Sequence, residues 1–247
     1  MPARDPDSDS DVEFEDVLPQ SNQSNSDQNG TPAHQIWTPT LTLPNQLPDP
    51  VAPGSEDETQ LRGRLTTGLE RITYRQMKAD MGMDAPGTPH ADRRYENFKE
   101  LADDIEGMVD MLWVSATPSI QVEGLITLAG ILEMALKSYP FDPESTLGIL
   151  HKFDRVFEAL CTGVHPLTNE PIPGARDRSQ TVTQTQKVRI RSLAEMTRNK
   201  LFSMLPDDEE DEDVEQPWLI EVTKVYDRTL MLLADEGGVG DAEWNWR

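Results

Sequence analysis

The chain has 247 residues, of which 36% are apolar and 19 are proline, and it carries a net charge of −23 from 22 basic and 45 acidic side chains. The low apolar share fits one folded domain rather than two, and the charge excludes general affinity for nucleic acid or an anionic membrane, since both are negative themselves. Partners are therefore expected to be proteins with basic surfaces.

That charge is unevenly spread: residues 1–60 hold 12 acids and one base, Arg4, and residues 207–215 hold eight acids and no base, which leaves the rest near balance at 25 acids to 21 bases. Cys161 is the single cysteine, so neither an internal disulfide nor a cysteine-based metal site is expected, and its apolar neighbours mark it as a small buried hydrophobe. The start, MPARDPDSDSD, has neither the basic nor the apolar part of a signal peptide, and no run of 18 apolar residues offers a membrane span. A cytosolic or nuclear protein is expected.

Taken in chain order, residues 1–60 are rich in Ser, Asn, Gln, Asp and Pro without apolar periodicity, the composition of a disordered tail. Within them, Asp7 to Leu18 interleaves Val12, Phe14, Val17 and Leu18 with acids, a pattern suited to an acidic docking peptide or simply to a solubilising tail. Ser8 and Ser10 precede acids and are candidate phosphorylation sites. A second island places Ile36, Trp37, Leu41 and Leu43 in an extended context, either a peptide ligand or an arm packed on the domain. Residues 61–90 read as a marginal helix and a linker: Leu61, Leu65, Leu69, Ile72 and Met77 have near-helical spacing, but Gly63 and Gly68 each weaken it by about 1 kcal/mol.

Residues 91–236 read as a helical domain. Tyr95, Phe98, Leu101, Ile105, Met108, Val109, Leu112 and Trp113 recur at intervals of three and four with acids opposite, an amphipathic helix. Thr117 or Ser119 then caps, with Pro118 in the first turn, a segment from Ile120 to Tyr139 that is apolar almost all round and so belongs at the centre of a bundle. Asp142 and Pro143 open a third helix with Leu147, Leu150, Phe153, Val156, Phe157 and Leu160 on its stripe, ending at Gly163. Pro166, Pro171, Pro173 and Gly174 make the following loop stiff.

From Thr183 to Leu205 the spacing predicts a helix that carries the densest set of bases, Lys187, Arg189, Arg191, Arg198 and Lys200. Seven consecutive acids follow, Asp207, Asp208, Glu209, Glu210, Asp211, Glu212 and Asp213, within a linker over 206–216. Mutual repulsion makes a solvated spacer the simplest reading; the alternative is an acidic docking element that competes with DNA for a basic cleft. Pro217 opens a last helix with Leu219, Val222, Tyr226, Thr229, Leu230 and Leu233 on its stripe, ended by Gly237 and Gly238, and residues 237–247 form a disordered tail with Trp244 and Trp246. The predicted fold is all-α, a bundle of about five helices with a disordered acidic N-terminal tail and an acidic linker.

No catalytic constellation is visible. His34, His90, His151 and His165 lack the spacing of a metal pair, and His151 with Asp154 at i, i+3 reads as a local pair rather than a general base. No enzyme, no cofactor, no metal and no direct nucleic-acid contact are expected, because no aromatics interleave the bases of the basic helix.

Two strings go further. Leu150 to Gly174, LHKFDRVFEALCTGVHPLTNEPIPG, and Gln186 to Leu205, QKVRIRSLAEMTRNKLFSML, resemble a fungal family of accessory subunits of the general transcription factor TFIIH. The matching positions are Lys152, Asp154, Phe157, Gly163, Pro166, Thr168, Glu170, Ile172, Pro173 and Gly174 in the first, and Lys187, Val188, Arg189, Arg191, Ser192, Leu193, Thr197 and Arg198 in the second. The resemblance covers about residues 92–235. It implies a nuclear, non-catalytic protein that binds TFIIH and helps its XPB-type DNA translocase dissociate after promoter opening. It makes Asp154, Pro166, Thr168, Glu170 and the five bases from Lys187 to Lys200 candidates for the partner-facing surface, although Asp154, Thr168 and Glu170 also suit loop groups that hydrogen-bond one another between helix ends. The alternatives are a scaffold or adaptor subunit of another nuclear assembly, such as a chromatin or kinetochore complex, and an acidic chaperone for histones or other basic proteins.

Overall fold

The computed structural model describes residues 38–84, 86–175, 181–205 and 217–235. Five long helices, α1 (Glu56–Met81), α2 (Phe98–Val114), α3 (Pro118–Ala135), α4 (Pro143–Thr162) and α5 (Gln184–Phe202), are followed by two short ones, α6 (Leu219–Thr223) and α7 (Asp227–Asp235). Among the described residues, extended pairing is limited to one bridge between Val164 and Pro171. The all-α class expected from the periodicities is what the structure shows. Phe14, Ser8, Ser10, Ile36, Trp37, the acids Asp207 to Asp213, Trp244 and Trp246 lie outside the described residues.

α3 is the central helix: Ile120, Val122, Leu125, Ile126, Leu128, Ile131 and Leu132 are buried around its circumference, with α1, α2, α4 and α5 packed about it. By length and composition this segment is apolar enough to cross a membrane, but most of it is buried inside the bundle. Thr117 stands at its N-cap without capping it; the hydroxyl donates to the Ser115 carbonyl at 2.7 Å and accepts the Val51 N–H at 3.0 Å. α2 is capped by Asn97 and buries the predicted stripe against α3 and α4. Asp142 caps α4, Pro143 fills its first turn, and Gly163 ends it at a φ of 72°, the left-handed conformation that glycine adopts without a Cβ penalty.

Two expectations are corrected. The marginal helix beginning at 61 is a 26-residue helix that starts at Glu56, inside the segment assigned to the tail, with Ser55 accepting the Glu58 N–H. Leu61 and Ile72 are buried in the common core, which outweighs the glycine penalty, and Gly68 lies against the flexible end of the Met108 side chain of α2, 2.3 Å separating Sδ from where a Cβ would stand. Arg75 adds an anchor, bonding the Asp104 carboxylate and the Arg93 carbonyl at 2.7 Å each and lying 3.9 Å over the Tyr95 ring. The tail assignment fails upstream as well, because Pro44 to Val51 pack on the α2–α3 corner. Pro44 accepts the Trp113 indole N–H at 3.0 Å, and the Leu47 N–H bonds the Val114 carbonyl at 2.9 Å.

The second correction is at the C-terminal end, where one helix was expected and two are found. Tyr226 takes a φ of +58° between them, its ring buried beside Phe157. What compensates this unfavourable backbone is a cap for α7 supplied from α4 by Asp154.

Candidate partner-binding surface

The loop after α4 is held by its own backbone and by one histidine. His165 Nδ1 accepts the N–H groups of Leu167 and Thr168, Thr168 Oγ1 accepts that of Glu170, and the Glu170 carbonyl accepts the His165 N–H at 2.7 Å. The His165 ring meets Trp113 edge-on at 5.4 Å, and its burial lowers its pKa against the opposing pull of Glu170. The Pro166 carbonyl accepts a bond from Arg155. Thr168 and Glu170 thus bond within the loop, exposed at its surface. Gly174, at a φ of +81°, lies so close to α3 that a Cβ would sit 2.6 Å from the Ala116 carbonyl oxygen.

α5 runs along the same helix. Thr183 and Gln186 form a capping box at its start, and the Gln186 amide donates to Glu123 of α3 at 2.8 Å. Arg189 also bonds Glu123 at 2.8 Å, and these two donors, Gln186 first, hold the Glu123 carboxyl below the usual range. Arg191 pairs with Glu195 one turn on. Arg198 bonds Asp227 at 2.7 Å and the Thr223 carbonyl, tying α5 to α6 and α7, while half-buried Lys200 bonds Glu133 of α3 at 2.6 Å. Lys187 is half-buried. The basic set is therefore divided: Arg191 is exposed and pairs within its own helix, Arg189 is exposed but also ties α5 to α3, and the less exposed Arg198 and Lys200 are fastenings of the bundle.

Asp154 does not belong to a surface at all. Only 3% of it is exposed. Its carboxylate accepts the Thr229 N–H at 2.9 Å and the Thr229 hydroxyl at 2.7 Å. The Thr229 N–H is one of the free donors in the first turn of α7, so α4 caps α7 across 75 residues of sequence. Lys152, two residues before it and equally buried, pairs with Glu106 at 2.7 Å and Asp110 at 2.6 Å, both on α2. His151 and Asp154 do line one small cavity with Tyr226 and Glu221, but the carboxylate bonds run to Thr229.

The two motifs noted in the sequence thus converge on the first turns of α3, one through Gly174 and the other through Glu123. Residues 94–217 match the profile of TFB6, subunit 11 of the general transcription factor TFIIH. The chain belongs to the TFB6 family. No curated protein and no solved structure matches it at a significant level.

The TFB6 match spans α2 to α5 and ends at Pro217, before α6, so α1, α6 and α7 lie outside it. What sequence reasoning missed is the apolar side of the exposed α5 face. Val188, Met196 and Phe202 expose 66, 48 and 44% of their surface, on the side that also carries Arg191, Ser192 and Glu195. Their spacing held the signal, since all three fall off the buried stripe of Ile190, Ala194, Thr197 and Leu201. A second such stripe, Tyr74, Met77 and Met81, lies exposed on α1, outside the TFB6 match.

Proposed function

We propose that this TFB6-family chain is a non-catalytic accessory subunit that acts in the nucleus, binds the XPB-type DNA translocase of TFIIH and promotes its release from the complex. Membership of the family carries the association with TFIIH. The observation that supports the finer reading is the α5 face: Val188, Met196 and Phe202 exposed beside Arg191, on a helix fixed to α3 by Glu123 and Glu133 and to α7 by Asp227. Aromatic, Met and Arg side chains on a rigid element are the composition that protein interfaces favour. Within this reading Arg189, Arg191 and the apolar trio touch the translocase, Arg198 and Lys200 hold the helix in place, and the acidic run Asp207 to Asp213 is a spacer between α5 and α6.

The test is translocase release. TFIIH carrying a labelled translocase is immobilised, the purified chain is added, and the label entering solution is followed. Faster release with the wild-type chain, and none above buffer with Val188→Asp combined with Met196→Asp, is the expected result. Stable retention of chain and translocase together would instead favour a scaffold subunit.

A further inference from the structure

Four Ser/Thr-Gln pairs occur in the chain, and three of them, Ser179-Gln180, Thr183-Gln184 and Thr185-Gln186, fall within eight residues. A glutamine directly after the acceptor hydroxyl presents an amide with both donors and an acceptor, which a kinase pocket can read at one position. The structure separates Thr183-Gln184 from Thr185-Gln186, while Ser179 lies outside the described residues. In Thr185-Gln186 the amide is already engaged, donating to Glu123 at 2.8 Å and accepting the Thr183 N–H at 2.9 Å. In Thr183-Gln184 the acceptor lies in extended backbone, φ −71° and ψ 159°, and both residues are exposed.

We propose that Thr183 is a phosphoacceptor for a serine/threonine kinase of the phosphatidylinositol-3-kinase-like class, which selects glutamine after the acceptor. Thr183 Oγ1 attacks the γ-phosphorus of ATP, the bond from that phosphorus to the bridging oxygen breaks to give ADP, and the hydroxyl proton leaves through the kinase's base. The product is compatible with the fold in one respect and disruptive in another. A phosphate at the N-cap faces the free N–H groups of the first turn and the positive end of α5, where dianionic charge is stabilised. The modified residue, however, loses the hydroxyl proton that now bonds Gln186 Oε1 at 3.0 Å, and it sets a dianion beside the Gln186–Glu123 contact. The first turn of α5 is thereby loosened from α3. This inference does not depend on translocase binding.

The experiment incubates the full chain with purified DNA-dependent protein kinase, linear DNA and ATP, beside a Ser-Gln peptide that reports an active kinase, and maps phosphate by mass spectrometry. Gln184→Leu serves as the comparison, since it keeps Thr183 and the capping box and alters only an exposed residue; its melting curve is recorded to establish that it folds. Phosphate on Thr183, reduced about tenfold or more in Gln184→Leu, is expected, because a pocket built to bond an amide rejects a side chain that lacks one. No phosphate on Thr183 while the peptide is modified, or equal occupancy in the two chains, overturns the proposal.

Discussion

Asp154 is a buried carboxylate held by hydroxyl and backbone donors of α7 rather than by a cation. Burial raises its pKa above the ordinary 3.8, with the Thr229 bonds acting in the opposite sense. Below that ordinary value the folded and unfolded chains both keep the proton and its contribution to stability is complete; as pH rises through the raised folded pKa the unfolded chain has already ionised, and the contribution is lost. Asp154→Asn keeps an acceptor for Thr229 but cannot ionise, so its stability relative to wild type should rise between mildly acidic and neutral pH in urea titrations. Asp154→Ala removes the acceptor, leaves buried donors of α7 unpaired and should cost about 2–3 kcal/mol at neutral pH. Lys152→Ala strands Glu106 and Asp110 and should cost about 3 kcal/mol, the low end for a broken buried pair because both acids remain partly exposed.

α1 separates what spacing can predict from what it cannot. Its apolar residues are visible in the sequence, and so is its start, since Ser55 followed by Glu58 is the capping pattern found at its N-terminus. Its strength is not visible, because Leu61, Ile72 and Arg75 find their partners elsewhere in the chain, and Gly68 has the Met108 side chain of α2 for a neighbour. Gly63 has no such neighbour within 4 Å, so Gly63→Ala should stabilise the chain by about 0.5–1 kcal/mol, the difference in helix propensity. Gly174→Ala combines left-handed backbone with a clash against the Ala116 carbonyl and should cost about 2 kcal/mol or more. Thermal melts of the two variants are therefore expected to shift in opposite directions. The break between α6 and α7 was hidden for a related reason: the stripe from Leu219 to Leu233 continues at helical spacing through Tyr226, and the residue that caps the second piece, Asp154, is 75 positions away.

Across the bundle as a whole, the near balance of charge outside the acidic stretches is realised as pairing between helices that are distant in sequence, Arg189 with Glu123, Lys200 with Glu133 and Arg198 with Asp227. The density of bases on α5 was legible; their division into surface and fastening residues was not, because the acids that decide it stand on α3 and α7. The candidate surface consequently shifts from charge to the apolar side of the same helix, with Arg189 and Arg191 at its edge. The acidic run, read as a spacer, should tolerate replacement of Asp207 to Asp213 by a Gly/Ser stretch of equal length with translocase affinity changed by about twofold or less. The decisive quantity for α5 as the docking face is the affinity of the purified chain for the isolated XPB-type translocase, measured for wild type and for Val188→Asp with Met196→Asp. Saturable binding that falls by about 100-fold in the double variant is expected, equivalent to roughly 2.7 kcal/mol of lost interface, with an unchanged melting temperature. Equal affinity of the two chains, or no binding of the translocase by a folded wild-type chain, would contradict translocase docking on α5.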